Sequence, residues 1–380
     1  MKAMRKKIML LIALIVGCAA GGVWLFTHSA RFGALPQGEH LERLTRSPRY
    51  VDGEFRNELP TPILTEEKNM IATYAEFLFS RPEGLTPPAP VPAVRADLKA
   101  LDPNEDVLVW LGHSSFYLQL QGRRILIDPV LSAYASPVPF STRAFSGSTP
   151  YAPDDLPDID VLLISHDHWD HLDYATLTAL RPRIGAVVCG LGVGAHLRRW
   201  GFAEERIREG DWGDAVAFGA LTVHVTPARH YSGRTLTRNK NLWAGFVLES
   251  PQRRLFFSGD SGYGPHFAEL GRRFGSFDLV MLDCGQYDRR WGLIHMMPEE
   301  TAQAAQDLHA ATLLPAHAGK FAIAYHPWDD PYRRIEAASR DKGYRLLMPR
   351  IGEPLSLDDP IPRPGVWWKT GGKSAGHATP

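Results

Sequence analysis

The chain has 380 residues and a mass of 42.3 kDa, enough for one large enzyme domain with extensions or for two to three average domains. Apolar residues at 44% and charged residues at 22% describe a globular protein with a sizeable core, which excludes collagen-like, disordered and polytopic membrane classes. The 42 basic residues balance 42 acidic ones, so no overall field draws nucleic acid, and three cysteines build neither a disulfide framework nor a structural zinc knot.

Lys2, Arg5, Lys6 and Lys7 precede an uncharged run from Ile8 to Phe26. At about 1.5 Å per residue that run reaches roughly 28 Å, just enough to cross a hydrocarbon core. The positive flank places the start in the cytoplasm and the rest across the membrane, so residues 1–27 read as a signal-anchor. Two readings compete with it. Ile15-Val16-Gly17-Cys18 resembles a lipobox that would make Cys18 a lipidated first residue, and cleavage near Ala30 would release a secreted protein. Apolar Val23 to Phe26 continue past Cys18, which favours the uncleaved anchor.

Residues 28–105 form an extension rich in Pro and charge. Ile71, Tyr74, Phe77 and Leu78 make an apolar stripe that predicts a helix over Thr65 to Phe79, packed on the main domain. Thr86 to Pro92 reads as a stiff extended linker. Residues 106–350 form the main domain, and residues 351–380 a tail that is loose after Pro360.

Within the main domain, Asp106 to Leu111, Phe116 to Leu120 and Arg124 to Ile127 read as three consecutive strands. Val161 to Ile164 and Ala186 to Val188 follow, with a helix from about Leu172 to Leu180 between them. Leu221 to Val225, Trp243 to Leu248, Leu255 to Phe257 and Leu279 to Leu282 are further strands, and helices start near Pro265 and Pro298. Strand-rich blocks interspersed with helices predict two sheets covered by helices, a four-layer α/β arrangement.

Ser165-His166-Asp167-His168-Trp169-Asp170-His171 is the strongest signal in the chain. It follows the apolar run Val161 to Ile164, so it sits at the carboxyl end of a strand, where α/β proteins place sites. His166 and His168, two apart, send both imidazoles to one side in extended backbone, and the turn into the next helix returns Asp170 and His171 to the same space. Three imidazoles and a carboxylate suit zinc or another borderline divalent ion. Further ligands must come from later strand ends, and three residues stand there: His230 after Leu221 to Val225, Asp260 after Leu255 to Phe257, and His317 after Leu313-Leu314-Pro315.

The His-x-His-x-Asp-His motif followed in order by His230, Asp260 and His317 resembles the metallo-β-lactamase-fold hydrolases. Within them the chain is similar to the N-acylphosphatidylethanolamine-hydrolysing phospholipase D branch. The residues that carry this include Trp110-Leu111-Gly112-His113, Leu126-Ile127-Asp128-Pro129, Gly285-Gln286-Tyr287 and His295-Met296-Met297-Pro298-Glu299-Glu300, over about residues 106 to 350. The resemblance implies an αββα sandwich with a two-zinc centre along one edge. It implies that His166, His168 and His230 hold the first zinc, that Asp170, His171 and His317 hold the second, and that Asp260 bridges them. Two cations roughly 3.5 Å apart need a bridging carboxylate and a hydroxide, which the metals generate by lowering the pKa of water towards ~7. In this scheme Asp170 both binds metal and orients the nucleophile.

Around that centre, Asp128 is expected to accept a hydrogen bond from a ligating histidine, with a plain strand-end turn residue as the alternative. His113, after Leu111-Gly112, is expected to line the pocket or else merely to satisfy loop backbone. His295 matches a pocket histidine of the phospholipase branch and is expected to donate to a phosphate oxygen or a leaving alkoxide, or else simply to enter a helix. Tyr287, with Arg289 and Arg290, is expected to present donors to an anionic substrate or to form a solvated turn.

The leading reading is a membrane-tethered zinc phosphodiesterase that hydrolyses an amphiphilic phosphodiester on the non-cytoplasmic side. A lactonase, amidase or other ester hydrolase on the same metal pair competes with it, because fold does not fix function. A non-catalytic metal-binding scaffold is disfavoured, since all seven ligand positions are filled. The mammalian phospholipases lack the amino-terminal anchor, so membrane access must arise differently here.

Overall fold

Along each strand of the main domain, alternate side chains enter different cores. Leu108, Trp110, Val161 and Leu163 face a central apolar cluster, whereas Val107, Val109, Leu162 and Ile164 face an outer one. This period of two fits a sheet covered on both faces. The computed structural model describes residues 2–65, 82–358 and 366–372.

A small hairpin, β1 (Tyr50–Val51) and β2 (Glu54–Phe55), precedes the main strands. These are β3 (Val107–Trp110), β4 (Phe116–Leu120), β5 (Arg123–Ile127), β6 (Ile159–Ile164), β7 (Ile184–Gly190) and β8 (Ile207–Gly210). They continue with β9 (Ala215–Phe218), β10 (Leu221–Thr226), β11 (Gly245–Glu249), β12 (Arg254–Phe257), β13 (Leu279–Asp283), β14 (Thr312–Ala316), β15 (Arg345–Leu346) and β16 (Pro354–Ser356). One seven-stranded sheet has the order β16-β3-β4-β5-β6-β7-β8, and the other β15-β14-β13-β12-β11-β10-β9. Each begins as an antiparallel meander and turns parallel, from β5 in the first sheet and from β12 in the second.

Helices α1 (Lys2–Thr27) and α2 (Gly38–Leu44) precede the sheets. Next come α3 (Tyr174–Leu180), α4 (Gly194–Arg199), α5 (His266–Phe274), α6 (Pro298–Asp307) and α7 (Asp330–Ala338). Leu177, Leu180 and Leu197 from α3 and α4 fill the outer core of the first sheet. Phe267, Leu270, Ala302, Ala305 and Ile335 from α5 to α7 join the cluster of the second. The molecule is thus the helix–sheet–sheet–helix sandwich of the metallo-β-lactamase type. α3 starts at Tyr174 rather than Leu172 because the Asp173 carboxylate caps it, accepting from the Ala175 and Thr176 amides.

The described residues 351–358 and 366–372 include parts that pack on the main domain. β16 pairs antiparallel with β3, and Trp367 and Trp368 are buried, with Trp367 Nε1 donating to the Met348 carbonyl at 3.2 Å. The sequence reading missed β16 because three residues with a proline at their head carry no alternation. The helix expected over Thr65 to Phe79 falls almost wholly outside the described residues. α1 contains a 24-residue candidate span, Met4–Thr27, long and apolar enough by length and composition to cross a membrane, and its large apolar side chains are exposed.

Leu163 is fully buried between the sheets, two residues before the histidine motif. Leu163→Ala is expected to destabilise the fold by about 2–5 kcal/mol through the cavity it leaves, measured as a lower midpoint in chemical denaturation.

Candidate metal centre

The loop after β6 reverses within one turn, since the His171 and Leu172 amides both donate to the His168 carbonyl. That reversal brings four side chains of the motif together. His166 Nε2 and His168 Nδ1 are 2.9 Å apart, and His230 Nε2, from the loop after β10, lies 3.2 Å from His168 Nδ1. On the other side, His317 Nε2, just past β14, lies 3.2 Å from Asp170 Oδ2, and His171 Nε2 lies 3.5 Å from the same oxygen. Asp260, on the loop after β12, puts one oxygen between the two sets. Its Oδ2 is 3.1 Å from His171 Nε2, 3.2 Å from His317 Nε2, and 3.7 Å from the Nε2 atoms of His166 and His230.

These separations fit a cation. Ligand atoms about 2.0–2.1 Å from a tetrahedral ion stand roughly 3.3 Å from one another. Two buried atoms, His171 Nε2 and Asp260 Oδ1, also lack a hydrogen-bond partner among the described residues. Burial, reinforced by neighbouring imidazoles, holds His166 and His230 well below the usual histidine range. Burial likewise brings His168 down to about 4. Neutral imidazoles with converging lone pairs are what a dication requires. Burial would raise the Asp260 carboxyl, yet the facing His171 and His317 imidazoles prevail and hold it well below the usual range. His317 is pulled the other way: burial lowers it, but Asp260 and Asp283 raise it to about 10.

Behind the ligand atoms stands a ring of hydrogen-bond partners. Asp128 accepts from His171 Nδ1 at 2.8 Å, and its other oxygen accepts from the Ser165 amide at 2.8 Å. His230 Nδ1 donates to the Ile294 carbonyl at 3.0 Å, which leaves Nε2 free to face the cluster. His113 sits closer to the centre than a pocket-lining position: fully buried, its Nε2 is 2.8 Å from Asp170 Oδ2. His295 Nδ1 is bonded to Asp283 Oδ2 at 2.8 Å, and its ring stacks on His317 with centroids 5.0 Å apart. A ligand atom of His295 lies within 4.8 Å of those of Asp260 and His317.

Tyr287 lies away from the ligand atoms. It is buried, its hydroxyl donates to Asp330 Oδ2 at 2.5 Å, and its ring stacks on His326. Two contributors went unnoticed in the sequence. Asp283 faces both His295 and His317, and the rule that found Asp260, a carboxylate directly after an apolar strand, would have found it. Asn57 brackets the His230 backbone, accepting from its amide at 3.2 Å and donating to its carbonyl at 2.8 Å, from 173 residues away.

The profile described as "Beta-lactamase superfamily domain" matches residues 123–318. An uncharacterized protein of Mycobacterium tuberculosis is 37% identical over 85% of this chain and 88% of its own. The N-acyl-phosphatidylethanolamine-hydrolyzing phospholipase D 1 of Caenorhabditis elegans is 31% identical over 56% of this chain and 63% of its own. The solved isothiocyanate hydrolase from Delia radicum gut bacteria shares the fold at a TM-score of 0.54 and 23% identity, covering 66% of this chain and 98% of that one.

Two outcomes follow from this geometry. Asp128→Asn should weaken metal binding by about 10–100-fold in competition with a chromophoric chelator, because His171 loses its orienting acceptor. Metal binding should release protons at pH 7, because the metal-free chain holds a proton on His317 up to about pH 10. Affinity should therefore fall as pH falls. Calorimetric heats that vary with the ionisation enthalpy of the buffer would report the release, and buffer-independent heats would contradict it.

Proposed function

Since the chain belongs to the beta-lactamase superfamily of metal-dependent hydrolases, we propose that it is a membrane-tethered, two-zinc phosphodiesterase of phospholipase D type, acting on N-acylphosphatidylethanolamine-like lipids. The observation that carries the two-ion reading is the single Asp260 oxygen, within 3.7 Å of four imidazole nitrogens that belong to two separate ligand sets. In this reading His166, His168 and His230 would hold one ion, Asp170, His171 and His317 would hold the other, and Asp260 would serve both. When bound, two dications supply Lewis acidity towards a phosphoryl oxygen and make water acidic enough to act as a nucleophile at neutral pH.

The chain's own groups supply the rest. His113 bonded to Asp170 Oδ2 fixes the carboxylate that orients the attacking water. His295, steered through Nδ1 by Asp283, turns Nε2 towards the reacting phosphate. As water attacks phosphorus, Nε2, left with its lone pair because Nδ1 donates to Asp283, takes up the proton the water sheds and passes it to the alkoxide as the phosphorus–oxygen bond to the ethanolamide breaks, so that phosphatidate and an acylethanolamide result. The 31% identity to a phospholipase D supports the lipid substrate. The cationic flank of α1 supports a catalytic domain on the non-cytoplasmic side of the membrane.

Elemental analysis should find two zinc ions per chain, and His317→Ala should lose one; one ion unchanged by the substitution would rule the pair out. Metal-loaded protein should cleave N-acylphosphatidylethanolamine in mixed micelles and stop on chelation. His295→Gln should lower kcat about 10²–10⁴-fold with metal content intact. Turnover of lactones without turnover of the phosphodiester would assign the site to a lactonase instead.

A further inference from the structure

The residues that follow α1 dock directly on the histidine loop. Phe32 packs edge-on against Trp169 with centroids 5.0 Å apart, and against Phe26 in the last turn of α1 at 5.3 Å. Arg31 is a junction: its guanidinium donates to the Pro137 carbonyl at 2.7 Å, and its own carbonyl accepts from Arg234 Nη2 at 2.9 Å. The Arg234 guanidinium lies 3.8 Å over the Trp169 ring. Three segments, 28–37, 133–143 and 231–240, therefore meet at the foot of α1. The third begins at Tyr231, whose ring packs on His168 with centroids 4.5 Å apart, so this end of the molecule is the one that carries the His168 side of the metal site.

The three segments share a composition. None of their residues is Asp or Glu, although the chain has 42 acids in 380 residues, whereas they carry Arg31, Arg143, Arg234, Arg238 and Lys240. They also hold the two most exposed large apolar side chains outside α1 among the described residues, Phe140 at 86% and Leu236 at 101%. Phe140 is three residues from Pro137 and Leu236 two from Arg234, so their Cα atoms lie within about 11 and 7 Å of the tie points to Arg31 and its partner. A single exposed leucine is ordinary. Two such tips on acid-free, basic loops, both tied to the foot of a helix of membrane-spanning length, define a face.

We propose that this face rests on the bilayer. Phe140 and Leu236 enter the boundary between headgroups and acyl chains, and Arg143 and Arg238 meet the lipid phosphates. The mouth of the metal site is then held against the leaflet, and a lipid substrate reaches it from the membrane plane rather than from water. The inference deepens the phospholipase reading and rests on it and on α1 as an anchor.

The test uses full-length protein in nanodiscs containing anionic lipid. Cys18→Ser removes the exposed native thiol, and Cys189 and Cys284 are buried. Phe140→Cys, Leu236→Cys and, as a control in the turn after α7, Asp341→Cys carry an environment-sensitive fluorophore. Probes at 140 and 236 should be quenched by nitroxide lipids and protected from iodide, with the reverse at 341. Iodide quenching at all three positions would overturn the proposal. Protection at 140 and 236 from both quenchers would also overturn it, by assigning the face to a protein contact. These readouts do not depend on lipid cleavage, so a failed phospholipase assay leaves them interpretable. On the lipid substrate, the double variant Phe140→Ser and Leu236→Ser should raise the apparent KM in bilayers about tenfold more than on a soluble aryl phosphodiester; equal effects would contradict the proposal.

Discussion

Four carboxylates, those of Asp128, Asp170, Asp260 and Asp283, are buried at one end of this sandwich beside the imidazoles of His113, His166, His168, His171, His230, His295 and His317. An apolar core tolerates such a collection only where each charge is paired or a cation takes up the excess. The constraint is electrostatic before it is catalytic. Protons on His171 and His317 balance part of the negative charge in the metal-free chain, and a pair of dications would balance it while freeing those nitrogens to act as ligands.

The fold meets that constraint by delivering side chains from the carboxyl ends of strands in both sheets to one seam. The seam is tied through the backbone: the His113 amide donates to the Ala318 carbonyl, and the His317 amide returns a bond to the His113 carbonyl, each at 3.1 Å. Asp128, His113, Gln286 and His317 all adopt positive φ without being glycine, a conformation that costs energy and persists only where surroundings over-determine it. Here the surroundings are hydrogen bonds. Gln286, for example, donates to the carbonyls of His317 and Phe321 and accepts from the Ile323 and Ala324 amides, locking the loop that carries His317.

Much of this was legible in the chain because it is local. The motif from His166 to His171 is contiguous, and the apolar run before it announces a strand end. His230, Asp260 and His317 could be read because each follows such a run. Asp283 obeys the same rule, directly after the apolar run Leu279 to Leu282. Where Tyr287 points was not legible, because it depends on Asp330, 43 residues on, while its neighbour Gln286 turns to the His317 carbonyl. Asn57 had no local signal, because its partner lies 173 residues away. Short edge strands such as β8 and β16 depend on neighbours for their pairing, so pattern alone did not reveal them.

The extension between α1 and the sheets belongs to the same picture. Asn57 holds His230 in place, Phe32 packs on Trp169 in the loop that carries His168 and Asp170, and the Arg31 carbonyl accepts from Arg234, which itself donates to the Asp167 and Leu172 carbonyls of that loop. The foot of α1 and the candidate metal site are therefore mechanically continuous. The most direct test is anomalous diffraction at the zinc absorption edge from crystals of the zinc-loaded protein. Two peaks are expected, one among His166, His168 and His230 and one among Asp170, His171 and His317, with the Asp260 carboxylate between them. A lone peak, or density away from Asp260, would contradict the shared-carboxylate centre.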